Sequence, residues 1–202
     1  MNTIITIGRE FGSGGRELGR KLAETLGFDY YDKEIVTEIA KKTAFSENYV
    51  HQILEKNPHD LFPITVGHSF SYIDTYTMQQ KQKVFIEQEN VIKEMAENSN
   101  CVIVGRCADY ILKDSNPFKI FVYADMKSKI ERCRNRDDGT DGTLTDKKLA
   151  KVIKRIDKQR KHYYEFFTGM GWGEKLHYDL CVNTSSVDIG ELATHLADMF
   201  RK

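Results

Sequence analysis

The sequence predicts an α/β domain, a parallel sheet covered by helices on both faces. Two patterns carry the prediction. Short runs of β-branched and other apolar residues alternate along the chain with longer stretches whose apolar residues recur at helical spacing. The first run also opens straight into a glycine-rich turn and a helix, as a parallel sheet's connections do. The length agrees: 202 residues make about one domain, enough to bury a proper core.

The first strand is Ile4-Ile5-Thr6-Ile7, and the glycine turn runs through Gly15. Leu18, Leu22 and Leu26 then mark a helix that Gly27 stops. Phe28–Tyr31 reads as a second strand, and Ile35, Val36, Ile39 and Ala40 as the next helix. Ser46 can cap a short helix carrying Val50, Ile53 and Leu54, and the stretch from Asn57 to Tyr76 reads as loop. Val84, Phe85, Gln88, Val91, Ile92 and Met95 form a long amphipathic helix. Cys101–Val104 is a strand ending in Gly105-Arg106, and Ile120–Tyr123 is another. Residues 127–135 and 145–167 read as helices, Leu180–Val182 as the fifth strand, and 189–200 as the closing helix.

Composition narrows the function classes. Apolar residues at 40% and charged residues at 30% exclude simple disorder and collagen-like repeats. No apolar run approaches the roughly 18 residues of a membrane span. The start has no signal-peptide pattern, so the expected location is cytoplasmic. Lys plus Arg equals Asp plus Glu at 30 each, which argues against a general nucleic-acid or membrane-surface binder. The charge is nevertheless uneven: residues 127–161 carry a net +7 and the rest a net −7. Cys101, Cys107, Cys133 and Cys181 include no Cys-x-x-Cys pair, so a zinc site is not expected and reduced thiols fit best.

In parallel sheets ligands bind beyond the carboxyl ends of the strands. The segment Gly8 to Gly19, G-R-E-F-G-S-G-G-R-E-L-G, lies there. Glycines at 12, 14 and 15 let the backbone curl with its N–H groups inward, and the helix N-terminus adds a positive dipole end. A phosphate is the natural occupant, and an anion would explain why Arg16 is tolerated in a first helical turn. Two nucleotide loops compete. The dinucleotide pattern G-x-G-x-x-G finds Gly12 and Gly14 but meets Glu17 at its third position, with Asp32 placed for a ribose contact. The mononucleotide pattern G-x-x-x-x-G-K-[ST] finds Gly14 but meets Arg9, Gly15 and Arg16 at its other positions.

Four segments, in order, resemble one family: I-T-I-G-R-E-F-G-S-G-G-R-E-L-G, Y-Y-D-K-E-I-V, V-I-V-G-R-C-A-D-Y-I-L and Y-D-L-C-V-N-T-S. Together they resemble the cytidylate kinase-like family, a nucleoside monophosphate kinase branch of the P-loop NTPases. The resemblance covers essentially the whole chain. It implies a three-layer P-loop NTPase fold with a five-stranded parallel sheet, an acceptor-binding helical insertion at about 33–98 and a lid at about 132–160, all in one domain, 1–202. It implies ATP as donor, Mg²⁺ as cofactor and a small nucleotide as partner, without nucleic acid or membrane.

Carried over by residue, the resemblance implies that Gly12, Ser13, Gly14, Gly15, Arg16 and Glu17 hold the donor's phosphates, with Asn183 near its base. Glu17 is the candidate for the metal. Asp32, Arg106, Asp109, Arg155, Asp157 and Arg160 fall to the acceptor, and Arg16, Arg132 and Arg136 to catalysis. The chemistry agrees, because phosphoryl transfer asks mainly for positioning and positive charge, and arginine's fork suits phosphate. Gly139 and Gly142 suit a lid hinge. The departures are Gly15 at the loop lysine's place, Glu17 near the hydroxyl's place, and Val104 where cytidylate kinases carry an aspartate. They keep open the alternative of a non-catalytic nucleotide-binding module. An NAD-type oxidoreductase is the more distant one. The aromatic run Tyr163-Tyr164, Phe166-Phe167 and Trp172 reads as core packing rather than base stacking.

Overall fold

The computed structural model describes residues 2–55, 75–135 and 144–201. Its strands are β1 (Ile4–Arg9), β2 (Asp29–Tyr31), β3 (Cys101–Val104), β4 (Phe118–Tyr123) and β5 (Leu180–Asn183). They form one parallel sheet in the order β2-β3-β1-β4-β5. Ile5 stands opposite both Val102 on β3 and Phe118 on β4, which places β1 at the centre of the sheet. The helices are α1 (Gly15–Leu26), α2 (Glu34–Thr43), α3 (Glu47–Glu55), α4 (Thr75–Asn98), α5 (Ala108–Ile111), α6 (Met126–Arg134), α7 (Asp146–Thr168) and α8 (Ile189–Asp198).

Both faces of the sheet are buried, so its central strands show continuous apolar runs rather than alternation. Ile5, Ile7, Val102, Val104, Ile120 and Val122 pack under α1 and α8. Ile4, Cys101 and Ile103 face the other way, against α2, α4 and α5. Leu18 and Leu22 on α1 are fully buried, which contributes roughly 1.5–3 kcal/mol each. Tyr163 and Tyr164 join the core on the second face, as does the long insertion helix through Val84, Val91 and Ile92. The three-layer arrangement expected from the resemblance is thus present.

Helix ends follow local chemistry. Gly27 closes α1 in the left-handed region at φ 67°. Asp125, Thr145 and Asp188 cap α6, α7 and α8, each accepting from backbone N–H groups. Two details differ from the sequence reading. Helix α4 starts at Thr75, two residues inside the segment read as loop, and the rest of that loop lies outside the described residues. Helix α5 is four residues long, too short to show an apolar period, and was not anticipated.

Candidate nucleotide and phosphate site

The site lies at the carboxyl edge of β1, β2, β3 and β5. At its centre the chain leaves β1, turns through Glu10–Gly14 and enters α1. Gly12 and Gly14 both take positive φ, 77° and 83°. Gly14 is the N-cap and offers no side chain to the helix, so the first N–H groups of α1 are left for a ligand. Crowding closes the back of the turn: a Cβ on Gly14 would lie 2.9 Å from Ile189 Cδ1, and one on Gly12 would lie 3.0 Å from the Lys129 carbonyl oxygen. Buried Ser13 donates its hydroxyl to the Glu10 carbonyl at 2.9 Å, and Thr184 donates its own to the Ser13 carbonyl at 2.6 Å.

Beneath the turn lies a buried charge cluster. Lys129 of α6, 4% exposed, reaches Glu10 Oε2 at 2.6 Å and Asp157 Oδ2 of α7 at 3.2 Å. Asp157 Oδ1 accepts the Phe11 N–H at 2.6 Å, and Glu10 accepts the Ala124 N–H at 3.3 Å. Burial pushes the Asp157 carboxyl up, against the pull of the Phe11 N–H and Lys129. Three elements therefore hold the phosphate turn in place.

Three cavities meet here. One, of about 30 Å³, sits on the turn and is lined by Arg9, Phe11, Gly12, Gly15, Arg16 and Arg160 among others. A cleft of about 650 Å³ opens beside it, sharing Gly14 and Arg16, and reaches Arg20, Tyr30, Asp32 and Arg132. Burial and Asp32 push the Tyr30 hydroxyl up to about 12. The third, of about 40 Å³, contains Arg9, Arg106, Asp109, Arg160, Tyr164 and Tyr178. The first and third are lined by four arginines and two carboxylates, Glu10 and Asp109; Glu10 is turned toward Lys129, and Asp32 of the neighbouring cleft pairs with Arg16 and lies 3.8 Å from Arg9. Arginine forks grouped at a helix N-terminus suit a phosphate.

The sequence-derived candidates distribute unevenly. Arg16 Nε meets Asp32 Oδ2 at 2.6 Å, which explains a cation in the first turn of α1. Asp32 is buried, and its other oxygen lies 3.8 Å from Arg9. Glu17 is exposed on the lip of the cleft. Arg106 stands in a turn of three successive positive-φ residues, Gly105, Arg106 and Cys107, and Gln88 donates to its carbonyl at 2.9 Å. Buried Asp109 accepts the Tyr164 hydroxyl at 2.7 Å, and burial pushes its carboxyl up. Arg160 donates to the Arg9 carbonyl at 3.4 Å and lies over the Phe11 ring.

Others stand apart. Arg132 lines the cleft but is bonded to the Thr184 carbonyl and hydroxyl. Asp157 supports the turn from below and lines none of the three cavities, and Arg155 is exposed on α7 outside them. Asn183 is exposed at the end of β5, where its Oδ1 accepts from Ser185. Arg136, Gly139 and Gly142 lie outside the described residues. The sequence reading assigns no role to Arg9, Glu10 or Lys129. Arg9 was visible only as a misfit in the loop pattern, and Lys129 only as one lysine of a basic segment.

Phosphate fits the turn, where glycines and an uncapped helix end face a cavity lined by arginines. Magnesium in phosphotransferases is held by one or two carboxylates plus the substrate's own phosphates; exposed Glu17 lines the cleft beside the turn, whereas Asp32 is taken up by Arg16 and Arg9.

Comparison with known proteins places the chain among relatives of the same fold. A cytidylate kinase of Thermoplasma acidophilum is 25% identical over 197 residues, covering 96% of this chain and 90% of its own. That of Pyrococcus horikoshii is 26% identical over 183 residues, 90% of this chain and 80% of its own. A solved structure of an uncharacterized protein from Eubacterium ventriosum superposes with a TM-score of 0.70 at 29% identity, over 98% of both chains. A shikimate kinase of Bacteroides thetaiotaomicron shares the fold, with a TM-score of 0.58 at 15% identity over 98% of both chains. The sequence profile of the cytidylate kinase-like family matches residues 4–186, and the chain belongs to that family.

Proposed function

We propose that this chain is a phosphotransferase that moves the γ-phosphate of ATP to a nucleoside monophosphate of the cytidylate type. The observation that carries the reading is a glycine turn at a helix N-terminus lined by Arg9, Arg16 and Arg160, with Arg106 in the adjoining cavity. Cytidylate kinases at about 25% identity over most of the chain support the acceptor class. In this reading the turn around Gly12–Arg16 binds the donor's phosphates. Arg106, directly after β3, grips the acceptor's phosphate with its planar fork. Glu17 would hold magnesium, which when bound offsets charge on the donor's phosphate oxygens. Closure of the expected lid, of which 132–135 and 144–160 are described, would exclude water from the transfer.

The second reading, a nucleotide-binding module without turnover, rests on Gly15 standing where the loop lysine belongs. One experiment separates the two. The protein is incubated with ATP, magnesium and each nucleoside monophosphate in turn, and ADP release is followed. The expected result is ADP release that depends on a pyrimidine monophosphate. Arg106→Lys should then raise the acceptor KM about tenfold, since charge is kept and the fork is lost. ATP binding without acceptor-dependent ADP release would favour the non-catalytic module.

A further inference from the structure

The mononucleotide loop pattern has glycine at its first position and lysine after its second glycine. This chain has the two residue types exchanged, with Arg9 at the first position and Gly15 at the lysine's. The structure links the exchange physically. A Cβ on Gly15 would lie 2.6 Å from Arg9 Cβ, 3.2 Å from Arg9 Cγ and 3.3 Å from Val122 Cβ. The stem of Arg9 therefore fills the space in which a side chain at 15 would begin. With arginine at 9, residue 15 has to be glycine.

The rest of Arg9 reaches toward β3. A Cβ on Gly105 would collide with its guanidinium, so Gly105 lets the cation cross the edge of the sheet. The guanidinium ends 3.8 Å from Asp32, and the residue is 9% exposed. Arg9 and Arg160 are the two residues that line both the cavity on the phosphate turn and the cavity at Arg106 and Asp109. Arg160 donates to the carbonyl of Arg9 itself. A charged group passing from the turn to the acceptor side passes these two cations.

We propose that Arg9 is a catalytic residue that replaces the loop lysine, with its charge on the transferring phosphoryl group. This rests on the phosphotransferase reading given above. In the step, an oxygen of the acceptor's phosphate bonds to the γ-phosphorus as the bond from that phosphorus to the bridging oxygen breaks. The electron pair of the broken bond leaves with ADP. The attacking phosphate is a dianion, so no proton has to be removed, and Arg9 neither gives nor takes one. Its guanidinium offsets charge spread over the oxygens in flight.

The test uses the full chain with ATP, magnesium and CMP. Arg9→Met keeps the length of the stem and removes the charge. It should lower kcat by at least about a hundredfold while the Kd for ADP, which lacks the transferred group, stays within about threefold. The double variant R9G/G15K restores the usual loop order and should recover at least about tenfold over Arg9→Met. Gly15→Lys alone, with Arg9 still in place, should gain no activity over the parent and lose stability. In a readout without turnover, aluminium fluoride should tighten ADP binding to the parent in the presence of CMP and leave Arg9→Met unmoved. A kcat within threefold of the parent in Arg9→Met overturns the proposal, as does fluoride-dependent tightening that survives the substitution. So does a folded double variant that binds ADP normally and recovers nothing. A parent that neither turns over nor tightens with fluoride fails the phosphotransferase reading, and the role of Arg9 falls with it.

Discussion

Asp109 is a carboxyl held in the interior, and burial is the largest influence on it. Tyr164 and backbone N–H groups pull the other way, and burial wins, so its pKa rises from the ordinary 3.8. The native state then keeps a proton over a range where the unfolded chain has lost it. Stability from this group is full below 3.8, falls as pH climbs to the raised value, and is level above. Asp109→Asn keeps an acceptor for the Tyr164 hydroxyl and removes the titration. Urea unfolding should show the variant gaining on its parent as pH rises from 3.8, and a gap independent of pH would refute the account. Single residues were also where sequence reading was weakest. Arg106 could be placed at the sheet edge because it closely follows a strand, and Asp109 only through the family resemblance. Arg9 could not, because its role depends on the absence of a Cβ at Gly15 and Gly105, contacts that no local pattern encodes.

At the scale of elements, the phosphate turn is held by helices that arrive much later in the chain. Lys129 and Asp157 are 28 positions apart on α6 and α7, and Asp157 and Phe11 are 146 apart. Asp157→Ala removes the acceptor of the Phe11 N–H and one of two carboxylates on a buried lysine. Glu10 remains on Lys129, so the loss falls below that of orphaning a buried charge, about 2 kcal/mol in urea unfolding. Nucleotide affinity should fall with it, since the turn loses its floor. Unchanged stability and unchanged ATP binding would mean that the cluster does not support the turn. The elements themselves were legible, because apolar runs and helical spacing are local signals. The strand order and the pairing of Lys129 with its two carboxylates were not, since both are set by tertiary packing. The basic segment read as one positive cluster around named arginines, yet one of its lysines is buried and structural while Arg155 is exposed.

Over the whole molecule the charge is divided, a net +7 in residues 127–161 facing a net −7 elsewhere. Part of this segment is fastened to the body: Arg132 is bonded to Thr184 beside β5, and Arg134 Nε donates to Asp146 at 3.1 Å, tying the end of α6 to the start of α7. Much of the remaining charge on α7 is exposed, as at Lys151, Lys154, Arg155 and Lys158. Like charges crowded on one helix repel, and a polyanion bound at the turn relieves that repulsion. The segment should therefore close toward the site when ATP and magnesium bind. Hydrogen exchange should slow in residues 132–135 and 144–160 and stay unchanged in α8, on the sheet's other face. Raising salt from about 50 to 500 mM should weaken ATP binding roughly three- to tenfold, because screening acts on exposed charges first. Equal exchange with and without nucleotide would rule out closure. Salt-independent binding would show that the exposed cations of α7 add nothing to the capture of phosphate, leaving that work to Arg9, Arg16 and Arg160 around the turn.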